Sequence, residues 1–442
     1  MLKVIFKGFL YNKTIMWVLT VTAIIFNLLF GWAMDSWVPP LFLTLLFGGI
    51  ICFVLGIFFS IKEMSNRKKY EKYQEIFNDI NLISASGDLP YYLGADENEY
   101  LKLLTFQSLI PIENWEKKKP YLERYFNARI LKICNTKDNN NIVNVYIVKK
   151  ELPEMVEWDD DNILIEDYLS LGIDFTDIVY IDLNKYPHTF IAGETGAGKS
   201  VLIKCLIYQC LIKGYDVRLI DFKRGVSFAI FDKFVEIYSD YEKVIIVLEN
   251  LVNETNDRLD FLRENKVENI KEYNQLSNRH MNRIIVFIDE LAELIRTGDK
   301  EANKRIIGAL ETISRLSRAV GIHLFLGMQR VDSTIVNGQI KNNVSLRICG
   351  RFADPEPSRI LLGNNLATDL PNVKGRMILK DGESKEFQAF YITTSTMNLA
   401  LITSRKKEQK EDIQIKEETE PIPKPNKTKE SKKLDFNFDD IL

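Results

Sequence analysis

The string Gly193-Glu-Thr-Gly-Ala-Gly-Lys199-Ser200 constrains this chain more than any other feature. It has the form G-x-x-x-x-G-K-S, follows the apolar stretch Thr189–Ala192 and opens the helical run VLIKCLIYQCLIKG, which stops at Gly214. Strand, glycine loop and helix in that order are the setting a phosphate cradle needs. Glycines let backbone N–H groups wrap a polyphosphate, and the helix N-terminus adds a favourable dipole. The candidate nucleotide-binding residues are therefore Gly193, Glu194, Thr195, Gly196, Ala197, Gly198, Lys199, Ser200 and Val201. Lys199 is placed to reach the β and γ phosphates and the Ser200 hydroxyl to bind Mg²⁺, so the implied cofactors are ATP and Mg²⁺.

A second signal is Ile284-Ile-Val-Phe-Ile-Asp289-Glu290. Five uninterrupted apolar residues predict a buried parallel strand, with both acids emerging at its C-terminal end, where ligands bind in such sheets. Asp289 is the expected Mg²⁺ partner through water, and Glu290 the residue that polarises the attacking water. Two other strand ends carry charge or amide. Val217-Arg-Leu-Ile-Asp221-Phe-Lys223-Arg224 ends in an acid and two bases, and His323-Leu-Phe-Leu-Gly-Met-Gln329-Arg330 ends in an amide suited to sensing phosphate. Arg318, on the predicted helix leading into that last strand, is a candidate arginine finger acting on a neighbouring subunit, with Arg315 as the fallback.

Around this centre the 442 residues divide into four parts. Residues 1–62 hold two runs, Thr14–Met34 and Leu41–Ile61, each of 21 residues without a charge. At about 1.5 Å per residue each is long enough to cross a hydrocarbon core, which predicts a two-helix transmembrane hairpin. Lys3, Lys7 and Lys13 precede it, Lys62, Arg67, Lys68 and Lys69 follow it, and the connector DSWVPP has no Lys or Arg. Both termini are therefore expected in the cytoplasm, at the cell membrane. Residues 63–180 read as a charged stalk and a small α+β adaptor. Residues 181–403 alternate short apolar strands with amphipathic helices, the pattern of a doubly wound α/β sheet. Residues 404–442 are too rich in Lys, Glu and Pro to bury a core and are expected to be disordered. They end in LDFNFDDIL, an acidic and aromatic string that could dock a DNA-processing partner.

The net charge of −3 does not announce a nucleic-acid partner, so local charge has to decide that question. The five cysteines form no C-x-x-C pair and read as reduced thiols, buried where they fall in the core. His188, His280 and His323 have no partner at metal spacing and read as core or strand-end residues.

Taken in order, these strings resemble the FtsK/SpoIIIE family of DNA-translocating ATPases over roughly Ile181–Lys380. The P-loop, the string Asp221-Phe-Lys223 and Ile288-Asp-Glu-Leu-Ala-Glu-Leu294 match family motifs. So do Ser317-Arg-Ala-Val-Gly-Ile-His-Leu324, Met328-Gln-Arg330, Ile340-Lys-Asn-Asn343 and Arg347-Ile348. The resemblance implies a RecA-like P-loop ATPase domain, with a mostly parallel doubly wound sheet. It implies assembly into a ring, a hexamer, with ATP at subunit boundaries and DNA through the centre. Translocation requires basic side chains that grip phosphates without reading sequence, and the candidates are Lys223, Arg224, Arg330 and Lys341. A two-span anchor before a single motor is similar to coupling proteins of Gram-positive conjugative plasmids and integrative elements, whose partners would be a relaxase and a secretion channel. The alternatives are a chromosome-partitioning DNA pump and a type VII-like protein-export ATPase. The chain departs from the family pattern at Phe222 and Val331, where prolines are usual, and at Gly363-Asn-Asn365 in place of G-A-E.

Overall fold

β-branched and aromatic residues recur through positions 91–148 and form four strands there, in a computed structural model that describes residues 71–404 except 166, 224, 277–279, 297 and 335–337. The expected membrane hairpin and the C-terminal tail lie outside the described residues, as does Arg224. Among those described, no helix is long and apolar enough to cross a membrane.

Contacts divide the chain after Glu151. In the first unit, β1 (Tyr91–Glu97), β2 (Leu101–Gln107), β3 (Ile130–Thr136) and β4 (Asn139–Val148) form an antiparallel sheet in the order β1-β2-β4-β3. Helix α1 (Ile112–Phe126) connects β2 to β3 and buries Trp115 and Leu122. The core is aromatic: Phe77 meets Phe106 edge-on at 5.1 Å and Trp115 at 5.3 Å. Such ring pairs add about 0.5–1.5 kcal/mol beyond their buried area.

The second unit, from Leu152, is built on one mixed sheet. Its parallel half runs in the order β10 (Glu236–Tyr238), β9 (Asp216–Ile220), β11 (Ile284–Ile288), β12 (Ile322–Met328), β8 (His188–Ala192) and β13 (Leu346–Gly350). The sheet then turns antiparallel through β14 (Arg376–Lys380), β15 (Ser384–Tyr391), β6 (Tyr168–Ile173) and β7 (Ile178–Asp182). The short β5 (Val156–Glu157) pairs with the end of β15. The parallel half matches the doubly wound expectation; the antiparallel half was not expected. Residues before 181, expected to belong to an adaptor, supply β5, β6 and β7 to this sheet. Their attachment depends on Gly172, because a Cβ there would fall 2.0 Å from the Gln388 carbonyl oxygen.

The parallel strands are covered on both faces, and their two-residue period sorts side chains into two cores. On β11, Ile284, Val286 and Ile288 face helices α3 (Tyr241–Glu264) and α4 (Lys300–Leu316). Ile285 and Phe287 face α2 (Lys199–Ile212). Each fully buried side chain of this kind is worth about 1.5–3 kcal/mol. Helix α2 is buried nearly all round, so the polar group it carries must find a partner there. The Gln209 amide accepts from the Ser170 N–H and donates to its carbonyl, both at 2.8 Å, completing the backbone bonding of β6.

A buried polar cluster pins the N-terminal end of the same sheet. The Arg283 guanidinium donates to both Asp167 oxygens at 2.5 and 2.7 Å, to Asn184 Oδ1 at 2.6 Å and to His323 Nε2 at 2.9 Å. His323 Nδ1 faces the Pro187 carbonyl at 3.0 Å and must be its protonated nitrogen, so the ring is neutral and accepts from Arg283. Burial raises the Asp167 carboxyl, but hydrogen bonds and charge from Arg283 outweigh it and hold it below the usual range.

Candidate nucleotide site

Every strand of the parallel half delivers its next residues to one edge of the sheet, and the chemistry foreseen in the sequence collects there. Lys199 begins α2 directly after the glycine loop and is buried. Its ammonium donates to the Asp289 backbone carbonyl and to Asp289 Oδ1, the latter at 2.9 Å. Asp289 follows β11 and is buried too, so the pair is shielded from solvent. Its attraction is stronger than at a surface and offsets the cost of burying two charges, and either partner left alone would be an uncompensated buried charge. Glu290, also buried, accepts from the Gln329 backbone N–H at 2.8 Å through Oε2, while its Oε1 has no hydrogen-bond partner among the described residues. Burial pushes the Glu290 carboxyl above its ordinary value, and the Lys199 charge opposes that. Gln329 itself sits beside the loop, its Oε1 accepting from Thr195 Oγ1 at 3.3 Å.

The loop between β8 and α2 is held from three sides. Gly193 N–H donates to the Met328 carbonyl at 3.2 Å. The Glu194 side chain bonds Arg351 at 3.2 Å and the Ala353 N–H at 3.1 Å, tying the loop to the turn after β13. The Ala197 carbonyl accepts from Gly375 N–H at 2.9 Å. Gly198 has φ +103°, and a Cβ on it would fall 2.8 Å from Gly375 N, so both its backbone angle and its neighbour require glycine. Thr195 and Gly196 form the exposed apex, and Ser200 and Val201 are half-buried on the first turn of α2. A cleft of about 840 Å³ opens along this loop and continues past residues 372–375 to the end of β15.

A Mg²⁺ ion fits the donors present. Ser200 and Asp289 offer oxygen ligands, and Oε1 of Glu290, next in sequence to Asp289, is a buried acceptor that no described residue fills. Among the described residues no group of three His, Cys, Asp or Glu side chains could hold a metal alone. That is the ordinary situation for Mg²⁺, which takes one or two protein oxygens and completes its shell with phosphates and water.

The other candidates fall in different places. Lys223, its side chain two-fifths exposed, places Nζ 3.6 Å from Asp289 Oδ2. Its loop is shaped by Asp221, which accepts from the Lys223 N–H at 2.8 Å and whose carboxyl is raised by burial. Phe222, standing where the family has proline, stacks on Tyr241 at 4.3 Å. Arg330 is exposed just beyond β12, and Lys341 is half-buried on the short helix Gly338–Asn343. Arg318 is exposed but is not helical. Helix α4 ends at Leu316, and Ser317 Oγ bonds the Ile322 carbonyl to form the turn that holds Arg318. That turn is at the start of β12, about 20 Å along a seven-residue strand from the loop edge, so Arg318 cannot serve the site of its own chain. Arg315 is exposed in the last turn of α4. The sequence reading missed Arg351, Lys374, Gly375 and the residues walling the far end of the cleft. They come from distant segments, and no local motif marks them.

A central parallel sheet with a glycine loop opening a helix, a lysine and an aspartate joined beneath it and a glutamate alongside define a P-loop ATPase. A profile of the FtsK/SpoIIIE family matches residues 153–333. The chain is 37% identical to the pCW3 conjugation coupling protein TcpA, solved in its monomer form with ATPγS. That likeness covers 77% of this chain and 99% of TcpA, with a TM-score of 0.58. It is 31% identical over 236 residues to the DNA translocase FtsK of Staphylococcus aureus (strain Mu50), covering 49% of this chain and 29% of the translocase. To the DNA translocase FtsK of Helicobacter pylori (strain J99) it is 32% identical over 293 residues, covering 62% and 33%. The chain thus spans about a third of the length of these translocases. It belongs to the FtsK/SpoIIIE family.

Proposed function

We propose that this chain is the ATP-driven DNA translocase that delivers DNA to a conjugation channel, anchored in the cell membrane by its N-terminal hairpin and working as a hexameric ring. The observation that carries the motor reading is the gathering of Lys199, Asp289, Glu290 and Gln329 at one edge of the sheet, at the glycine loop. The likeness to a conjugation coupling protein over 99% of that protein supports the finer assignment.

The chemistry follows from the placement. Lys199 and the loop N–H groups neutralise and orient the phosphates. Glu290 is fixed through Oε2 by the Gln329 N–H, which leaves Oε1 to accept a hydrogen bond from the attacking water. Gln329 lies between that carboxylate and Thr195 on the loop, so its amide is positioned to respond to the terminal phosphate. Mg²⁺, held by Ser200 and Asp289, would supply charge to the leaving oxygens. Arg318, remote from its own site, would complete a neighbour's. Lys223, Arg330 and Lys341, with Arg224, remain the DNA-gripping candidates.

The test is the ATPase rate of the purified full-length chain with and without DNA. Stimulation by DNA, abolished by Lys199→Ala, is expected. A rate indifferent to DNA but raised by export-substrate peptides would move the reading to protein secretion.

A further inference from the structure

We infer that the basic half of α1, residues 117–126 of the first unit, is a docking surface for the anionic phospholipid headgroups of the membrane. This rests on the proposed N-terminal hairpin and adds a second, electrostatic contact with the same bilayer.

Helix α1 is divided by charge along its length. The acids Glu113 and Glu116 come first, and Lys117, Lys118, Lys119 and Arg124 follow. The other acid of the basic half, Glu123, is engaged with the sheet, where it accepts from the Ile130 N–H at 2.8 Å. The apolar side of the helix, Trp115 and Leu122, is buried in the core. Outside, Lys117, Tyr121 and Tyr125 recur every four residues and share one stripe, with Arg124 beside it. The two tyrosines are 53% and 46% exposed, and Lys118 Nζ lies 5.6 Å from the centre of the Tyr121 ring. Tyrosines interleaved with cations on an exposed helix face suit the headgroup level of a bilayer. The rings lie against the acyl boundary while the ammonium groups stay with the phosphates.

The same end of α1 is fastened to the part of the chain nearest the hairpin. The described residues begin with a helix at 71–79. The Phe126 ring meets Tyr73 of that helix edge-on at 6.3 Å, and the Tyr125 hydroxyl donates to Asp79 at 2.8 Å. Tyr73 packs on Tyr92 at 4.9 Å and Phe77 on Trp115 at 5.3 Å, so helix and patch belong to one aromatic core. From Ile61, the end of the second apolar run, to Tyr73 the chain reaches at most about 40 Å at full extension. A tether that short holds the patch near the bilayer at an effective concentration in the millimolar range. Each Lys or Arg at an anionic surface strengthens binding about fivefold, so a cluster too weak to bind from free solution suffices once tethered. Duplex DNA also presents phosphates, but the tether favours the bilayer.

The experiment follows hydrogen exchange of the full-length chain in lipid nanodiscs of phosphatidylcholine alone or mixed with phosphatidylglycerol. Residues 117–126 are expected to exchange several-fold more slowly in the anionic discs, with β4 of the same unit unchanged. The difference should vanish in 1 M salt, where the Debye length falls to about 3 Å. Lys117→Gln, Lys118→Gln, Lys119→Gln and Arg124→Gln together should abolish it, whereas Lys→Arg at the three lysines should keep it; β4 exchange reports that each variant is folded. Equal exchange in the two discs would overturn the surface. So would protection that duplex DNA produces in phosphatidylcholine discs and phosphatidylglycerol does not, which would assign the face to nucleic acid. A chain that neither disc retains would instead refute the hairpin, and with it the tether, before any exchange is measured.

Discussion

Lys199 and Asp289 hold one another, so their loss is felt in more than one way. Lys199→Ala removes the phosphate partner and leaves Asp289, buried, with Lys223 at 3.6 Å as its one cation among the described residues. ATP binding and turnover are expected to vanish, measured by calorimetry and phosphate release. Glu290→Gln keeps shape and volume but replaces the charged acceptor Oε1. It is expected to bind ATP and to lower turnover roughly 100-fold or more, trapping bound nucleotide. Turnover at the unmodified rate would reassign the water-positioning role. Arg318 tests the ring. Arg318→Ala is expected to spare ATP binding and lower hydrolysis roughly 1,000-fold. Mixing it with Lys199→Ala subunits should restore part of the activity, since some interfaces then pair an intact Lys199 with an intact Arg318. No recovery in rings shown to be mixed would remove Arg318 from the site.

The strands are held at both ends by different chemistry. At the N-terminal end Arg283 serves Asp167, Asn184 and His323 together, so Arg283→Ala takes the donor from Asn184 Oδ1 and His323 Nε2 and the countercharge from Asp167. Asp167 then keeps only the neutral donors Asn184 and Tyr215 among the described residues. A loss of about 3 kcal/mol is expected in denaturant unfolding. Arg283→Lys should recover little, because one ammonium cannot replace the fork. The histidines set a pH dependence. His188, wholly buried, is held by desolvation at about 3 against an ordinary 6.5, and His323 is lowered by burial and by the Arg283 charge. Both stay neutral when folded and take up a proton when unfolded. Their contribution is therefore full above about pH 6.5 and is lost progressively as pH falls towards 3. Each histidine should cost roughly 1.4 kcal/mol of stability per pH unit in that range. The raised carboxyls of Asp221 and Glu290 act oppositely, favouring the folded state as pH falls. Unfolding midpoints at pH 7.5 and pH 5.5 measure the sum. A midpoint that does not fall on acidification would contradict the buried neutral histidines.

At the scale of the whole chain, the motor needs cytoplasmic ATP, which ties its chemistry to its orientation. Lysines and arginines flank the proposed hairpin, and DSWVPP has none. A cysteine in place of Ser36 is expected to label with an impermeant thiol reagent on whole cells, and one in place of Ser431 only after lysis. The reverse pattern would invert the topology and separate the site from its substrate.

The phosphate loop, the aspartate–glutamate strand end and the parallel half of the sheet were legible because each is local. Glycine spacing, an uninterrupted apolar run and the strand-to-helix order are written in consecutive residues and act over one turn or one strand. Asp289 beneath Lys199 could be foreseen for the same reason, since parallel strands bring their C-terminal ends to one edge. The rest depended on segments far apart in the chain. Residues 156–182 resemble an adaptor until Gly172 allows β6 to close on β15, and nothing in their own sequence names that partner. That Lys223 pairs with Asp289 follows from the turn set by Asp221, which no local pattern announces. Arg318 reads as helical until Ser317 bonds the Ile322 carbonyl and forms a turn. The sequence alone determined that this chain cradles phosphate on a P-loop. The tertiary structure decided what surrounds that phosphate, because Arg376, Met155 and Tyr391 meet only when the antiparallel strands are laid beside the loop.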